Sequence, residues 1–252
     1  MSDGFRSRLA AGEALVGTFV KSHDANVAEV LAGTGLDFLL ADLDHSSLAL
    51  RDLEGIVRAA ALHSVPVVAR LGRSDLELAG RVLDAGAAGI QVAEVDSAET
   101  IRAARELASY PPAGRRSLSL STRAARFGRE PAGDYLERAG REVAVIGQIE
   151  SVDGIEALPS LVETGAGDAW FVGVLDLSAS VGLAGRFDHP DVRAALDRAA
   201  ATIVGAGARL GVFAANAEDA RSWRERGATM IAVSSDYSLL AGAACDLRNQ
   251  FG

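Results

Sequence analysis

Cysteine and lysine are almost absent from this chain, which has one of each among its 252 residues. The single cysteine, Cys245, excludes an intrachain disulfide framework and a zinc site made of thiolates. It stands in a run of small residues, which predicts inert packing. The single lysine, Lys21, is the only side chain that could form a Schiff base with a carbonyl substrate, so an aldolase of that kind would have to use it.

An excess of positive charge and long apolar runs are also missing. The formal net charge is −9, which argues against a surface for nucleic acids or anionic membranes. No apolar run approaches the ~20 residues that a membrane helix needs. The first residues lack the apolar region of a signal peptide. We therefore expect a cytoplasmic protein with neither a nucleic-acid nor a membrane partner.

Short apolar runs alternate with amphipathic stretches along the whole chain, which predicts strands alternating with helices. The pattern favours a (β/α)8 barrel that occupies residues 1–252 as a single α/β domain. An open doubly wound sheet is the competitor, but no G-x-G-x-x-G follows the first strand. The predicted strands are 15–20, 36–43, 65–71, 89–95, 143–147, 169–174, 210–215 and 228–234, and the predicted helices are 26–32, 48–62, 75–85, 97–108, 153–161, 191–205, 217–226 and 237–248.

Glycines and a polar segment punctuate this alternation. Gly35, Gly86, Gly207 and Gly227 each stand between a helix end and a strand, where glycine supplies a left-handed cap. Asp96 and Glu99 are placed like a capping box at the start of helix 97–108. Residues 109–133 form a long polar connection that either closes the site over an anionic substrate or is simply solvated. Its arginines are Arg115, Arg116, Arg123, Arg126 and Arg129.

Two of the apolar runs lead into carboxylates. The run 143–147 is followed by Gln148 and Glu150, and the run 169–174 is followed by Asp176. Both runs are typical of buried parallel strands. If those strands are neighbours, Glu150 and Asp176 lie side by side at one end of the sheet and could hold a hard divalent cation. The alternative is that both acids are N-caps of the following helices.

Two basic side chains also fall at strand ends, where the active sites of barrels gather. His45 follows Asp42 and Asp44, and a neighbouring carboxylate orients an imidazole for general-base chemistry. Its alternative is an ordinary surface histidine. Arg70 closes an apolar strand, so its charge needs an anion. That anion is either a substrate carboxylate or an internal partner, Asp42 or Asp44.

Six short segments follow one another in a recognisable order and spacing. They are LLADLDH at 39–45, VVAR at 67–70, LDAG at 83–86, YPPAGRR at 110–116, QIE at 148–150 and GVLDLS at 173–178. Together they resemble the HpcH/HpaI family of metal-dependent pyruvate aldolases, the class II 2-keto-3-deoxy acid aldolases, over nearly the whole chain. The resemblance implies a hexameric barrel, a trimer of dimers, whose last helix is swapped between subunits.

The resemblance also implies a role for each matching residue. Glu150 and Asp176 would bind Mg2+, Mn2+ or Co2+, and Arg70 would bind the pyruvate oxygen that becomes the enolate. His45 would take part in acid–base chemistry through a water near the metal, and Asp84 would pair with the His45 of a neighbouring subunit. Asp84 stands in the last turn of a predicted helix, where the dipole disfavours an anion. Four further residues are expected around the substrate: Gln148 and Leu175 in contact with it, and Asp42 and Asp44 in support.

Four positions depart from the family pattern. Asp44 replaces a glutamate, Ser117 a glycine and Val174 a proline, and Ala93 with Glu94 replaces a proline with its neighbour. We expect these changes to affect the aldehyde partner more than the enolate chemistry.

The expected activity is reversible cleavage of a 4-hydroxy-2-oxo acid into pyruvate and an aldehyde by a carbon–carbon lyase. Amides at the start of the helix after Asp176 would help to bind the carboxylate. Two alternatives stay open: a metal-dependent lyase or decarboxylase acting on oxaloacetate-like acids, and a barrel kept as a non-catalytic scaffold.

Overall fold

Eight parallel strands form the centre of the molecule in the computed structural model, which describes residues 4–251. The strands are β1 (Leu15–Val20), β2 (Phe38–Asp42), β3 (Val67–Leu71), β4 (Gly89–Val92), β5 (Ala144–Ile149), β6 (Ala169–Val172), β7 (Leu210–Ala214) and β8 (Ala228–Ser235). Each strand pairs with its neighbours in chain order, and β8 pairs with β1, so the sheet closes into a barrel. The predicted (β/α)8 fold is confirmed, and the open sheet is excluded.

Helices surround this barrel, with eleven α-helices among the described residues. They are α1 (Phe5–Ala11), α2 (Ala25–Ala32), α3 (Leu50–Ala61), α4 (Ala79–Asp84), α5 (Ala98–Ala108), α6 (Ala132–Glu142), α7 (Val152–Glu163), α8 (Val174–Ser180), α9 (Pro190–Gly205), α10 (Ala217–Glu225) and α11 (Asp236–Gln250). Two short 3-10 segments, Arg73–Leu78 and Arg126–Gly128, lie in the connections.

The strands are apolar on both faces because each separates two cores. One core lies between the sheet and the outer helices and contains side chains such as Leu39 and Trp170. The other fills the barrel interior with aromatic side chains that include Phe38 and Phe171. Helix α1 joins the interior core through Phe5, whose ring centroid lies 5.6 Å from that of Phe38. The filled interior leaves the rim as the place for chemistry.

Several predicted boundaries need correction. The sequence pattern does not predict helices α1 and α6, because each buries only two spaced residues in an otherwise polar stretch. The predicted helix 75–85 begins as the 3-10 segment Arg73–Leu78. The cap of α5 is Ser97, whose side chain accepts the amide of Thr100, rather than an Asp96–Glu99 box. The left-handed glycines are confirmed, with φ of 88°, 100°, 71° and 92° at Gly35, Gly86, Gly207 and Gly227.

The last helix makes little contact with its own barrel. In α11 only Asp236 is buried, and Leu240 is 71 % exposed. Cys245 is exposed, so the predicted packing of this side chain is wrong within one chain. Within the described part of the chain, none of the helices combines the length and the apolar character that crossing a membrane needs. The assignment of all 252 residues to one domain stays a prediction, because residues 1–3 and 252 lie outside the described range.

Candidate active site at the barrel rim

A buried ion pair joins the ends of β2 and β3. The register sets Asp42 beside Arg70. Arg70 donates from Nε to Asp42 Oδ1 at 2.9 Å and from Nη2 to Oδ2 at 2.8 Å. The internal partner that the sequence left open is therefore Asp42, and Nη1 lies outside this pair. The guanidinium also lies 5.2 Å from the ring centroid of Phe19, which favours a fixed orientation.

Asp42 organises the loop that follows it. Its Oδ1 also accepts the backbone amides of His45 at 3.0 Å and Asp44 at 3.2 Å. Burial alone would raise the pKa of Asp42, but the charge of Arg70 and these hydrogen bonds hold the pKa below its usual range. Asp42 is therefore held in its ionised form and bonds to both the arginine and the loop. Its supporting role in the reaction stays a prediction.

His45 projects from this loop into the cavity, and its side chain is 58 % exposed. Its Nε2 lies 3.5 Å from Asp44 Oδ2, so the predicted carboxylate does face the ring. Asp44 approaches the backbone of Gly72 closely. A Cβ at Gly72 would lie 2.6 Å from Asp44 Oδ1, so the glycine leaves room for this carboxylate.

The second cluster lies across the rim, where β5 and β6 pair in parallel as predicted. Glu150 follows β5 directly, and it is buried. Asp176 was expected to follow a strand but lies in the first turn of α8, because β6 ends at Val172 and the helix begins at Val174. The backbone amides at the start of α8 therefore begin at Val174. They begin before Asp176, whereas the sequence predicts amides that follow it. The N-caps of α7 and α8 are Ser151 and Gly173, which excludes the capping alternative for both acids.

Glu150 is held in a fixed orientation. Its Oε1 accepts the backbone amide of Glu94 at 2.6 Å, and its Oε2 accepts the side-chain amide of Gln148. The carbonyl of Gln148 accepts from Gln91, a buried residue of β4. Burial raises the pKa of Glu150, and the negative charge of Asp176 raises that pKa further. The charge of Asp176 thus disfavours ionisation of Glu150, and a cation bound between the two acids would relieve this repulsion.

The donor set fits a divalent cation with an incomplete protein shell. Over the described range of the chain, the ion pairs of this cavity involve Asp42 and Asp44, and none of them includes Glu150 or Asp176. Among residues 4–251, no group of three or more His, Cys, Asp or Glu side chains could hold a metal ion. Two carboxylates alone suit a cation such as Mg2+ or Mn2+, which completes its shell with water and substrate oxygens.

Gly173 lets the chain pass close to this pair. A Cβ there would lie 2.8 Å from Glu150 Oε2 and 3.1 Å from Gln148 Nε2. We expect Gly173→Ala to displace Glu150 and lower the affinity for Mn2+ by about 10- to 100-fold, the usual cost of disturbing a ligand's support. Titration calorimetry would measure it. Gly133→Ala is the control, because the helical Gly133 has open space around it. Equal Mn2+ affinity in both variants would contradict this role of Gly173.

These groups face one cavity of about 250 Å3. It brings together most of the predicted site residues, while Glu150 and Asp44 adjoin it through their contacts. The sequence did not single out its aromatic walls, and runs of buried apolar residues gave no signal for them. The lining residues are Phe19, Lys21, Asp42, His45, Arg70, Gln148, Phe171, Gly173, Val174, Leu175, Asp176, Phe213, Ser235 and Ser238.

Asp84 is the one predicted catalytic residue that the chain does not bring to this cavity. It ends α4, so it lies toward the end of the barrel where the strands begin. Its Oδ1 accepts from Arg116 Nη2 at 2.6 Å, and the Arg116 side chain is only 1 % exposed. Arg116 is therefore neither solvated nor part of a cover over the cavity. Its guanidinium packs 4.6 Å from the ring centroid of Tyr110.

The comparisons with known proteins agree with this geometry. The sequence model of the HpcH/HpaI aldolase/citrate lyase family matches residues 15–243. A 4-hydroxy-2-oxo-heptane-1,7-dioate aldolase from Shigella sonnei is 35 % identical over all of this chain and 96 % of its own length. A crystal structure of an HpcH/HpaI aldolase/citrate lyase family protein from Burkholderia cenocepacia matches with a TM-score of 0.91 and 35 % identity, covering 98 % of both chains. An HpcH/HpaI aldolase from Desulfitobacterium hafniense matches with a TM-score of 0.89 and 28 % identity, over 98 % of this chain and 96 % of that one.

Proposed function

The chain belongs to the HpcH/HpaI aldolase/citrate lyase family, and from that premise we propose that it reversibly cleaves a 4-hydroxy-2-oxo acid into pyruvate and an aldehyde. The prediction of a carbon–carbon lyase is confirmed at the level of the family, which comprises aldolases and citrate lyases. The observation that carries the finer proposal is the cavity lined by Arg70 and Asp176, which Glu150 adjoins through Gln148. Within the described part of the chain, neither acid belongs to an ion pair. A cationic group and a cation site on opposite walls suit a substrate that becomes an enolate.

Each side chain of the cavity has a proposed task. Mg2+, Mn2+ or Co2+ between Glu150 and Asp176 would act as a Lewis acid toward the 2-oxo acid. Arg70 places its fixed positive charge at the oxygen where negative charge develops. Gln148 orients Glu150 and offers its amide to the substrate, beside Leu175. His45, oriented by Asp44, is the proposed acid–base group: it takes the proton from the 4-hydroxyl as the C3–C4 bond breaks and returns it during condensation. With pyruvate alone, the same imidazole removes and returns the methyl protons.

The aromatic and aliphatic walls suit the aldehyde end of the substrate. Phe19, Phe171, Leu175 and Phe213 are apolar and stand in the same cavity as the charged groups. They exclude water from the region in which charge develops, which strengthens the interaction of Arg70 with the enolate oxygen. Val174 stands where the family pattern has proline, so it belongs to the wall that meets the acceptor.

Exchange of the pyruvate methyl protons in heavy water tests this function without knowledge of the aldehyde. NMR would follow the exchange with Mg2+ or Mn2+ and again with EDTA. Cation-dependent exchange is the expected result. Absence of exchange although the cation binds would contradict enolate formation from pyruvate, and oxaloacetate turnover would then favour the decarboxylase alternative. Absence of both exchange and binding would favour the scaffold alternative.

The exposed last helix supports a proposed assembly in which α11 packs on a second copy of the chain within a hexamer. Tyr237, Leu239, Leu240 and Leu247 of this helix are between 45 % and 71 % exposed. Such a series of apolar side chains usually marks an interface. In this proposal, Asp84 reaches the His45 of a neighbouring subunit. A cytoplasmic location also stays a prediction.

We expect Leu240→Arg to reduce the assembled mass, because a charge would be buried where α11 meets its partner. Sedimentation velocity would measure the mass. Leu62→Arg is the matched control, because Leu62, the C-cap of α3, is also a leucine that is 71 % exposed. If Leu240→Arg sediments like the wild type, the proposed packing of α11 on a second copy of the chain is wrong.

A further inference from the structure

The single lysine lies in the same cavity as the proposed catalytic groups. Lys21 follows β1, and the register of β1 with β2 sets Val20 beside Ala41, so Lys21 stands next to Asp42. Its Nζ lies 3.1 Å from Asp42 Oδ2 and donates to the carbonyl oxygen of His45 at 3.3 Å. The ammonium therefore contacts both the buried acid and the loop that carries the histidine.

The backbone of Lys21 is also fixed. Its amide and that of Ser22 donate to Oδ2 of Asp236, at 2.9 Å and 2.8 Å. The carbonyl oxygen of Lys21 accepts from the Tyr237 hydroxyl at 3.3 Å. Asp236 is buried, so these contacts form at the protected start of α11. A side chain that leaves such a fixed backbone has a restricted range, and Nζ is thereby kept near the His45 loop.

The His45 loop is consequently held from two sides. The amide of His45 donates to Asp42 Oδ1, and the carbonyl of His45 accepts from Lys21. Since Asp42 also binds Arg70 through both oxygens, one carboxylate links the arginine, the lysine and the histidine loop. The imidazole itself is largely exposed, so its place over the cavity depends on its backbone.

We propose that Lys21 is a positioning residue that holds the backbone of His45 in register with Arg70 for proton transfer. This inference rests on the proposed aldolase function. Lys21 acts through the loop and through Asp42, and it forms no bond to the substrate. The ion pair with Asp42 and the hydrogen bond to His45 are the contacts that carry this role, and both need the ammonium group.

Pyruvate methyl exchange again provides the test, here as a double-mutant cycle in the presence of Mn2+. Lys21→Met is expected to lower the exchange rate at saturating pyruvate on the order of 100-fold, the cost that a small misplacement of a reacting group can bring. The KM for pyruvate and the Mn2+ affinity are expected to stay unchanged, since Arg70 and the carboxylates remain. Lys21→Arg, which can reach the same acceptors, is expected to restore most of the rate.

The cycle with His45→Ala separates positioning from general stability. If Lys21 acts through His45, Lys21→Met causes no further loss in the His45→Ala background, so the two effects are strongly non-additive. Additive losses, or an unchanged rate in Lys21→Met, would overturn the inference while leaving the aldolase proposal intact. Wild-type protein that binds Mn2+ but exchanges no pyruvate protons would instead overturn the aldolase proposal itself.

A second measurement can be made on the wild-type protein, because Lys21 is the only lysine. An amine-acetylating reagent can modify only Lys21 and the terminal amine, and acetylation removes the charge. Mass spectrometry would measure the extent of acetylation of Lys21, and the exchange rate is expected to fall in parallel with it. The exchange rate of the Lys21→Arg variant is expected to stay unchanged under the same treatment. Borohydride trapping of pyruvate on Lys21 would show a Schiff base and replace the positioning role.

Discussion

Replacement of Arg70 by alanine is expected to reduce kcat/KM by about 100-fold or more, the loss that follows removal of a fixed donor to an oxyanion. Arg70 is 6 % exposed, and its two bonds to Asp42 fix the plane of the guanidinium. Because Nη1 stays outside that pair and the residue lines the cavity, the charge is already oriented before substrate arrives. A preorganised cation does not spend free energy on turning toward the enolate.

The variant must be checked for folding, because Asp42 would lose its principal partner. Breaking a buried ion pair typically costs about 3–5 kcal/mol of stability. Arg105→Ala is a suitable control: Arg105 pairs with Asp168, which precedes β6 at the opposite end of the barrel. We expect thermal denaturation to show both variants destabilised, but only Arg70→Ala to lose turnover per folded molecule. Near-normal turnover in Arg70→Ala would refute the proposed role.

The residues at the rim could be predicted from the sequence, because a parallel barrel places the carboxyl ends of all its strands on one side. Asp42, Arg70 and Glu150 each end an apolar run. In the structure Asp42 and Arg70 line one cavity, and Glu150 adjoins it through its contact with Gln148. No family knowledge is needed for that step, only the alternation of buried strands and helices. The sequence could not decide which anion pairs with Arg70. Asp42 and Asp44 are separated by one residue, and only the position of their side chains in the structure identifies Asp42 as the partner.

The helix that carries Asp176 shows where apolar patterning fails. Residues 169–174 are apolar without a break, so the run predicts a strand through Val174, whereas β6 ends at Val172. Gly173 directly follows the strand, and its backbone passes the Glu150 carboxylate closely. That contact joins residues far apart in sequence, so local periodicity contains no record of it.

Asp84 shows a different limit, because one chain leaves it away from the cavity. Its position at the end of α4 was predicted correctly, but its partner in the structure is Arg116, a residue the sequence placed in a polar connection. Arg116 is buried because it packs on Tyr110 as well as pairing with Asp84. A role for Asp84 at a partner's His45 stays a proposal that depends on assembly.

The departures from the family pattern also separate in space. Val174 lines the cavity, and its contact with the aldehyde stays a proposal. Glu94 instead adopts φ of 54°, a strained value for this residue type, and its amide donates to Glu150. Its backbone therefore holds Glu150, a residue of the proposed cation site. Ser117 is exposed and outside the lining of the cavity.

Neutralising Glu150 or Asp176 is expected to lower the affinity for the cation by more than about 100-fold. Residues that only orient a metal ligand typically contribute 10- to 100-fold, so the loss of a ligand itself should exceed that range. Glu150→Gln and Asp176→Asn keep the size of each side chain while removing one charge. With two protein carboxylates in the site, one charge is half of what attracts the cation. Calorimetry with Mn2+ would measure the loss, and Asp153→Asn, a change in the first turn of α7, is the matched control.

Asp176→Asn is the sharper of the two variants, because its effect on stability should change sign with the cation. Without a cation, the charge of Asp176 opposes ionisation of Glu150 and raises that pKa, so neutralising Asp176 is expected to leave the Tm unchanged or higher. With Mn2+, the wild type gains stability in proportion to the logarithm of cation concentration over Kd, and the variant should gain none. Thermal denaturation over a series of Mn2+ concentrations gives both results. A variant that lost stability without Mn2+, yet kept the wild-type rise with it, would identify Asp176 as a structural residue and place the cation elsewhere.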